Sequence, residues 1–146
     1  MKESRVYLDT SILTKRYVKE ENSDIADNYF HLAQHGETVI SLSEINLGEA
    51  AVVFEKYSRK MGIDARARIQ TMLSELRSLE RSSSVEMYPV SSHIIQNAIK
   101  IVLEQHIYIV DAIQLETCID SGSTLFCSAD KELNATAMKL GIETVL

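Results

Sequence analysis

Apolar residues along the chain alternate between short strand-like runs and longer stretches with helical spacing. The short runs predict five strands, at residues 5–8, 38–42, 85–90, 123–127 and 142–146. In the other stretches the spacing of apolar residues predicts helices at residues 11–19, 22–35, 44–61, 64–81, from 91 onward, 109–120 and 129–140. Because strands alternate with helices, we expect an α/β fold with a parallel sheet covered on both faces.

Several predicted boundaries coincide with residues that favour the ends of helices and strands. Gly36 and Gly62 follow predicted helices, where glycine commonly ends a helix. Asp64 precedes a predicted helix and is a favourable cap for it. Pro89 falls in the third predicted strand, and since proline has no N–H to donate, we expect this strand at the edge of the sheet or ending there.

Size and composition indicate a globular protein. The chain has 146 residues, of which 45% are hydrophobic and 25% charged. These values predict one ordinary domain, spanning residues 1–146, with a hydrophobic core. No apolar run approaches the roughly 20 residues that a membrane helix needs, and no secretory signal follows the first residues. We therefore expect a cytoplasmic protein whose two cysteines, Cys118 and Cys127, stay reduced in the core.

The charge balance restricts the choice of partners. Lys and Arg number 15 against 21 Asp and Glu, which gives a net charge of −6. A protein that binds nucleic acid through a basic surface usually has the opposite sign. A nuclease stays possible, because acids that hold a divalent metal make a site negative. The histidines show no repeated ligand spacing, which argues against a zinc site; they are His31, His35, His93 and His106.

Four carboxylates occupy positions that solubility does not explain: Asp9, Glu49, Asp111 and Asp130. Asp9 and Asp130 follow predicted strands, and ligands of parallel sheets bind outside the carboxyl ends of the strands. Glu49 and Asp111 lie on the apolar sides of their predicted helices. Carboxylate oxygens are suitable ligands for Mg²⁺ or Mn²⁺, and such an ion would assist attack on a phosphodiester.

Each acid also has a purely structural interpretation, which the residues alone leave open. Asp9 could cap the first helix, and Asp111 and Asp130 could favour the positive ends of helix dipoles.

The helix at residues 44–61 offers a second acid, Glu44. Five residues separate it from Glu49, which is about 140° around a helix, so both cannot easily face one pocket. Residues 41–44 fit a capping box, with Glu44 reaching back to the start of the helix. We therefore assign Glu44 to structure and Glu49 to the site.

At four places the sequence resembles PIN-domain ribonucleases, and most closely the VapC-type toxins of prokaryotic toxin–antitoxin pairs. Residues 6–11 resemble the opening motif of a strand, an aspartate and small hydroxyl residues. Residues 43–49 resemble the segment in which a glutamate comes six positions after a serine. Residues 111–115 resemble the Asp-Ala motif, and residues 125–133 resemble a strand followed by Ser-x-Asp. The four motifs occur in the family's order along the whole chain.

The resemblance implies a three-layer α/β/α sandwich with a central parallel sheet of about five strands. It implies a metal-dependent endoribonuclease for single-stranded RNA, with the four acids coordinating one or two Mg²⁺ or Mn²⁺ ions. Thr10, Ser11 and Ser128 would orient those acids or a metal-bound water. Such toxins usually form homodimers, and a partner antitoxin docks near the active site and keeps them inactive.

Some residues depart from the family pattern. Asn46 stands where many relatives carry threonine, Gln114 where histidine is frequent, and Glu116 where a small residue is common. None removes an expected ligand. The departures therefore bear on which substrate and which partner the protein binds, and not on the expected chemistry.

Basic residues follow the first acid. Lys15, Arg16 and Lys19 lie on the first predicted helix, where Lys15 and Lys19 share a face. They are candidates to hold RNA phosphates beside the metal. The alternative, which we favour, is a solvated helix face.

Three other functions compete with a toxin nuclease. A PIN-like scaffold would bind a partner without cleaving, although no expected acid is absent. A housekeeping RNA-processing nuclease would share the same site. A phosphatase with Asp9 as nucleophile commonly has a second aspartate two residues later, where this chain has Ser11.

Overall fold

A central parallel sheet organises the computed structural model, which describes residues 4–146. The strand order is β3-β2-β1-β4-β5, and every neighbouring pair is parallel. The strands are β1 (Arg5–Leu8), β2 (Val39–Ser43), β3 (Val85–Tyr88), β4 (Leu125–Cys127) and β5 (Thr144–Val145). The predicted fold class is confirmed. β3 lies at the edge of the sheet and ends directly before Pro89, as the proline led us to expect.

Seven α-helices flank this sheet within the described part of the chain. They are α1 (Thr10–Leu13), α2 (Ser23–Gln34), α3 (Glu44–Met61), α4 (Ala65–Arg81), α5 (Ser92–Gln105), α6 (Ile109–Asp120) and α7 (Lys131–Lys139). The predicted spans of α3 and α6 agree with the structure at both ends. Of the helices between residues 4 and 146, none combines the length and apolar character needed to cross a membrane.

The first helix is shorter than predicted. The expected span was 11–19, but α1 ends at Leu13 and a 3₁₀ turn follows at Thr14–Arg16. The turn leads to Tyr17, whose ring packs edge-on against Phe30, with ring centroids 6.1 Å apart. Burial of this ring favours the tighter turn over a continued helix.

Two apolar layers cover the faces of the sheet, and β1 contributes to both because successive strand residues point to opposite faces. Val6 and Leu8 join the layer formed with α1–α4. Tyr7 joins the layer formed with α5–α7 and stacks on Phe126, with ring centroids 5.8 Å apart. All four side chains are fully buried, and burying a side chain of this size stabilises the fold by roughly 1.5–3 kcal/mol. This burial fixes the register of β1.

The ends of β1 and β4 meet at one edge of the sheet. Leu8 lies opposite Cys127, and the N–H of Asp9 donates to the carbonyl oxygen of Cys127 at 3.1 Å. The residues that follow the two strands are therefore neighbours. Cys127 and Cys118 are buried and free, in agreement with the expectation of reduced core thiols.

Candidate active site

A cavity of about 230 Å³ lies beside the ends of β1 and β4. The four acids that the sequence singled out all line it, although they come from four separate segments of the chain. The polar residues that line the cavity are Asp9, Thr10, Ser11, Glu49, Asp111, Gln114 and Asp130.

Asp9 both caps a helix and lines the cavity. Its Oδ1 accepts from the N–H of Ile12 at 3.1 Å, which caps α1, and from the hydroxyl of Ser11 at 2.6 Å. Its Oδ2 accepts from the hydroxyl of Ser128. Burial raises the pKa of Asp9 to about 6 although these hydrogen bonds lower it, and the charge of Asp130 raises it further. Asp9 therefore caps α1 and also belongs to the group of acids in the cavity, so the two interpretations of this residue do not exclude each other.

Two serines tie the segment after β1 to the segment after β4. Ser128 is fully buried and donates to Asp9 while it accepts from the N–H of Asp130 at 2.9 Å. Ser11 donates to Asp9 and accepts from the N–H of Ala129 at 3.1 Å. Each hydroxyl gives its proton to Asp9 and offers a lone pair to a backbone N–H. The orientation of Asp9 is thus fixed from both segments.

Glu49 reaches the cavity from α3. Its Oε1 accepts from the hydroxyl of Thr10 at 2.7 Å and from the side-chain amide of Gln114 at 3.2 Å. Glu44, at the start of the same helix, lines a different cavity, which it shares with Arg77 of α4. The structure therefore brings Glu49, and not Glu44, to the other three acids.

The capping box of α3 differs from the one predicted at residues 41–44. It consists of Ser43 and Asn46. The Oγ of Ser43 accepts from the N–H of Ile45 at 3.2 Å, and the Oδ1 of Asn46 accepts from the N–H of Ser43 at 2.8 Å. The prediction was wrong because the helix begins at Glu44, which makes Asn46 the residue that can reach back to the cap.

Asp111 and Asp130 lie at the N-terminal ends of helices. Asp111 is half-buried in the first turn of α6, where burial raises its pKa and the charges of Glu49 and Asp130 raise it further. Asp130 caps α7, and its Oδ1 accepts from the N–H groups of Glu132 at 3.0 Å and Leu133 at 3.1 Å. Both positions suit the helix dipole, and both side chains also line the cavity.

The cavity gathers negative charge without basic partners. Within residues 4–146 no ion pair joins a lysine or arginine to any of the four acids. Carboxylate oxygens in this number are the donor set that a hard divalent cation prefers.

The acids are more widely spaced than a compact metal site. Ligand oxygens of no three of them lie within 4.8 Å of one another; the described residues that meet this criterion are His93, Glu116 and Asp120, which do not line the cavity. The four acids therefore fit a metal by the chemistry of their oxygen donors and by their negative charge, and not by close spacing of those oxygens.

The basic residues after α1 are mostly engaged within the protein. Lys15 forms an ion pair with Glu20 at 3.0 Å, and Arg16 forms ion pairs with acids of α2 and α4 at 2.8 and 2.9 Å. Lys19 is exposed. Because α1 ends before these residues, Lys15 and Lys19 do not share a helical face.

A buried polar network, which the sequence did not predict, lies behind Glu49 and is formed by Tyr7, Thr10, Asn46 and Gln114. Asn46 donates to Gln114 at 2.7 Å and accepts from the hydroxyl of Tyr7 at 2.7 Å. In the sequence, Asn46 and Gln114 stood out only as departures from the family motifs. A signal was available, because both interrupt apolar stretches, and a buried amide needs hydrogen-bond partners.

Comparison with known sequences identifies the family. Residues 6–139 match the PIN domain family, and since this match spans most of the chain, the protein belongs to that family. The family that the four motifs indicated is thus confirmed. A comparison with curated protein sequences gives no match.

Solved structures share the fold at low sequence identity. PAE2754 from Pyrobaculum aerophilum has a TM-score of 0.67 at 17% identity, over 97% of this chain and 84% of that chain. VapC20 from Mycobacterium tuberculosis, a toxin that cleaves the sarcin–ricin loop, has a TM-score of 0.62 at 18% identity, over 89% and 93%. VapBC2 from Rickettsia felis, bound to a DNA fragment from its promoter, has a TM-score of 0.63 at 17% identity, over 97% of each chain.

Proposed function

We propose that the protein is a divalent-metal-dependent endoribonuclease that cleaves single-stranded RNA and acts as the toxin of a toxin–antitoxin pair. Membership of the PIN domain family supports a nuclease, and the VapC toxins among the structures with this fold support a toxin. The proposal assigns Mg²⁺ or Mn²⁺ to the cavity, with Asp9, Glu49, Asp111 and Asp130 as its ligands.

The observation that carries the proposal is the uncompensated charge in the cavity. The pKa values of Asp9 and Asp111 are raised by burial and by neighbouring carboxylates, and no ion pair with a lysine or arginine within residues 4–146 opposes this. Burying charge without a partner is unfavourable. Helix capping accounts for Asp9 and Asp130 but does not require Glu49 and Asp111 in the same cavity. A divalent cation, in contrast, requires several oxygen ligands.

Hydrogen bonds hold two of these acids in position before an ion binds. Ser11 and Ser128 hold both oxygens of Asp9, and Thr10 holds one oxygen of Glu49. The exposed Asp130 completes the acid set on the side of the cavity that faces solvent. When bound there, a divalent ion would supply a stronger water nucleophile and would neutralise charge that develops on the phosphodiester.

The same proposal includes a cognate antitoxin, a homodimer and a cytoplasmic location, all supported by the resemblance to VapC-type toxins. The adjacent reading frames test the biological role. A short upstream frame whose DNA-binding product co-purifies with the protein and inhibits cleavage is expected for a toxin. Cleavage of RNA without any such neighbour would indicate a housekeeping RNA-processing nuclease instead.

Cleavage of labelled single-stranded RNA in the presence of Mg²⁺, Mn²⁺ or EDTA tests the activity. We expect cleavage with either metal and none with EDTA. Asp9→Asn should cleave at least about 100-fold more slowly, because asparagine still caps α1 but lacks the anionic oxygen. Glu44→Gln is the matched control and should keep the wild-type rate, since Glu44 lines another cavity.

Two results would contradict the proposal. Cleavage by Asp9→Asn at the wild-type rate would remove Asp9 from the site. No cleavage by the wild-type protein, together with no change of its melting temperature in Mn²⁺, would indicate a PIN-domain scaffold that binds a partner without cutting RNA.

A further inference from the structure

The buried polar network behind Glu49 contains four side chains from four elements of the fold. Tyr7 belongs to β1, Thr10 to α1, Asn46 to α3 and Gln114 to α6. The two amide side chains, of Asn46 and Gln114, are 0% and 2% exposed. None of the four is needed as a metal ligand, yet two of them, Thr10 and Gln114, donate hydrogen bonds to Glu49.

The direction of these hydrogen bonds is fixed first at Asn46. Its Oδ1 accepts from the hydroxyl of Tyr7 at 2.7 Å and from the backbone N–H of Ser43 at 2.8 Å. A backbone N–H can only donate, so this end of the amide must be its oxygen. The Nδ2 of Asn46 is therefore turned in the opposite direction, towards α1 and α6.

The direction is then passed to Gln114. The Nδ2 of Asn46 donates to the Oγ1 of Thr10 at 2.9 Å and to the Oε1 of Gln114 at 2.7 Å. The backbone N–H of Thr10 also donates to that Oε1, at 3.2 Å. Two donors thus hold the oxygen of Gln114 in place, and its Nε2 must face Glu49.

Both branches end on the same oxygen of Glu49. The Oε1 of Glu49 accepts from the hydroxyl of Thr10 at 2.7 Å and from the Nε2 of Gln114 at 3.2 Å. No side chain or backbone group of the described residues donates a hydrogen bond to the Oε2 of Glu49. The network therefore occupies one carboxylate oxygen of Glu49, a residue that lines the cavity, and leaves the other oxygen without a donor among the described residues.

We propose that Asn46 and Gln114 are positioning residues, which set the direction of every hydrogen bond behind Glu49 and so present its Oε2 to a divalent cation. The inference rests on the proposed function, because it assumes that Glu49 is a metal ligand. It adds two residues that do not touch the ion and gives a role to two of the three departures from the family motifs, Asn46 and Gln114.

Replacement of Asn46 by aspartate would reverse the network at almost constant shape. One oxygen of the new carboxylate could still accept from Tyr7 and Ser43, but the other would need protons from Thr10 and Gln114. The hydroxyl of Thr10 would then leave Glu49, and the amide of Gln114 would turn its oxygen towards Glu49. The N–H of Thr10 would lose its acceptor at the same time.

The test is the affinity of the whole protein for Mn²⁺, measured by calorimetry on the wild type and on Asn46→Asp, with kcat and KM for RNA as second readouts. We expect Asn46→Asp to bind Mn²⁺ about 10–100-fold more weakly, as is typical when a partner of a metal ligand is lost. We expect kcat to fall and KM to change less than about threefold. Added negative charge alone would tighten Mn²⁺ binding, so weaker binding identifies the lost hydrogen-bond direction.

Two further variants keep the result interpretable. Asn28→Asp adds the same charge on the exposed face of α2 and should leave Mn²⁺ affinity unchanged. Gln114→Met removes the donor to Glu49 without adding charge and should weaken Mn²⁺ binding in the same direction. It decides the question if Asn46→Asp does not fold.

The failures of the two proposals are distinguishable. If the wild-type protein neither binds Mn²⁺ nor cleaves RNA, the proposed function is wrong and the inference falls with it. If the wild type does both, and the folded variants keep their Mn²⁺ affinity within about twofold, the positioning role is wrong and the proposed function stands.

Discussion

Asp9 is buried and Glu75 is half-buried, and their surroundings shift their pKa values in opposite directions. Glu75 lies in α4 and accepts from the guanidinium of Arg16 at 3.1 and 2.9 Å and from the hydroxyl of Tyr17 at 2.9 Å. Burial alone would raise the pKa of Glu75, but the hydrogen bonds from Arg16 and Tyr17 outweigh it and lower the pKa. Asp9 has serine partners and no ion pair with a basic residue of the described chain, so burial raises its pKa. The difference between the two acids is therefore the guanidinium of Arg16, which stabilises the ionised form of Glu75 and has no counterpart beside Asp9 among the described residues.

The two acids also respond to pH with opposite sign. The lowered pKa of Glu75 contributes stability at neutral pH, which is lost as the pH falls through the folded-state pKa. The raised pKa of Asp9 means that the folded state binds its proton more tightly than the unfolded state does. Ionised Asp9 thus destabilises the metal-free fold at neutral pH, and the loss is recovered as the pH falls below about 6.

The largest effect on stability is expected from removing the cation beside Glu75. Arg16→Gln should lower the free energy of unfolding by about 2 kcal/mol, because it leaves a half-buried carboxylate with fewer donors. Urea denaturation at pH 7 measures this. Arg59→Gln is the matched control: Arg59 pairs with Glu55 at 2.8 Å on the surface, and its loss should change stability by less than about 0.5 kcal/mol. Equal effects of the two substitutions would show that the Arg16 pair is no stronger than a surface pair.

The opposite sign is expected when Asp9 is neutralised. Raising a pKa from 3.8 to about 6 corresponds to about 3 kcal/mol, and the loss of one serine hydrogen bond to the charged group in Asp9→Asn offsets about 1–2 kcal/mol. In EDTA at pH 7 this variant should therefore be more stable than wild type by about 1–2 kcal/mol. The gain should shrink towards zero as denaturation is repeated at pH values down to 4. A variant less stable than wild type at pH 7 would mean that burial of the charge is compensated in the metal-free protein.

A smaller effect is expected at Ser11, whose hydroxyl lowers the pKa of Asp9. Ser11→Ala should raise that pKa further, so the acid limb of the pH–rate profile for RNA cleavage should move upward by about half a pH unit. Ser74→Ala, on the exposed face of α4, should leave the profile in place. An unmoved profile in Ser11→Ala would show that the Ser11 hydroxyl does not control the ionisation that limits cleavage.

Local sequence signals were sufficient for most elements of the fold. The α3 span was predictable because Gly62, in the left-handed conformation at φ 68°, ends the helix, and because its apolar residues recur with helical spacing. The same spacing separated Glu49 from Glu44, since 3.6 residues per turn places the two acids on different sides of α3. Asp9 and Asp130 could be placed at one sheet edge once two parallel strands were predicted before them.

Features that depend on distant contacts could not be read from the sequence. Asn46 and Gln114 are 68 positions apart, and their hydrogen bond exists only because α3 and α6 meet behind the cavity. The partner of Arg16 is 59 positions away, so its engagement with Glu75 was equally invisible. The predicted helix at residues 11–19 was too long because local spacing does not reveal the site where Tyr17 packs.

The central position of β1 has a consequence for the timing of synthesis. β1 is the first of the described strands to be made, yet β4, its neighbour on one side, comes from the far end of the chain. The hydrogen bond between Asp9 and Ser128 cannot form until Ser128 has been synthesised, 119 positions later. At roughly 5–20 residues per second, translation of that interval takes roughly 6–24 s. In a growing chain Asp9 and Ser128 therefore stay apart for this interval, and the acids can come together only after the segment that follows β4 has been made.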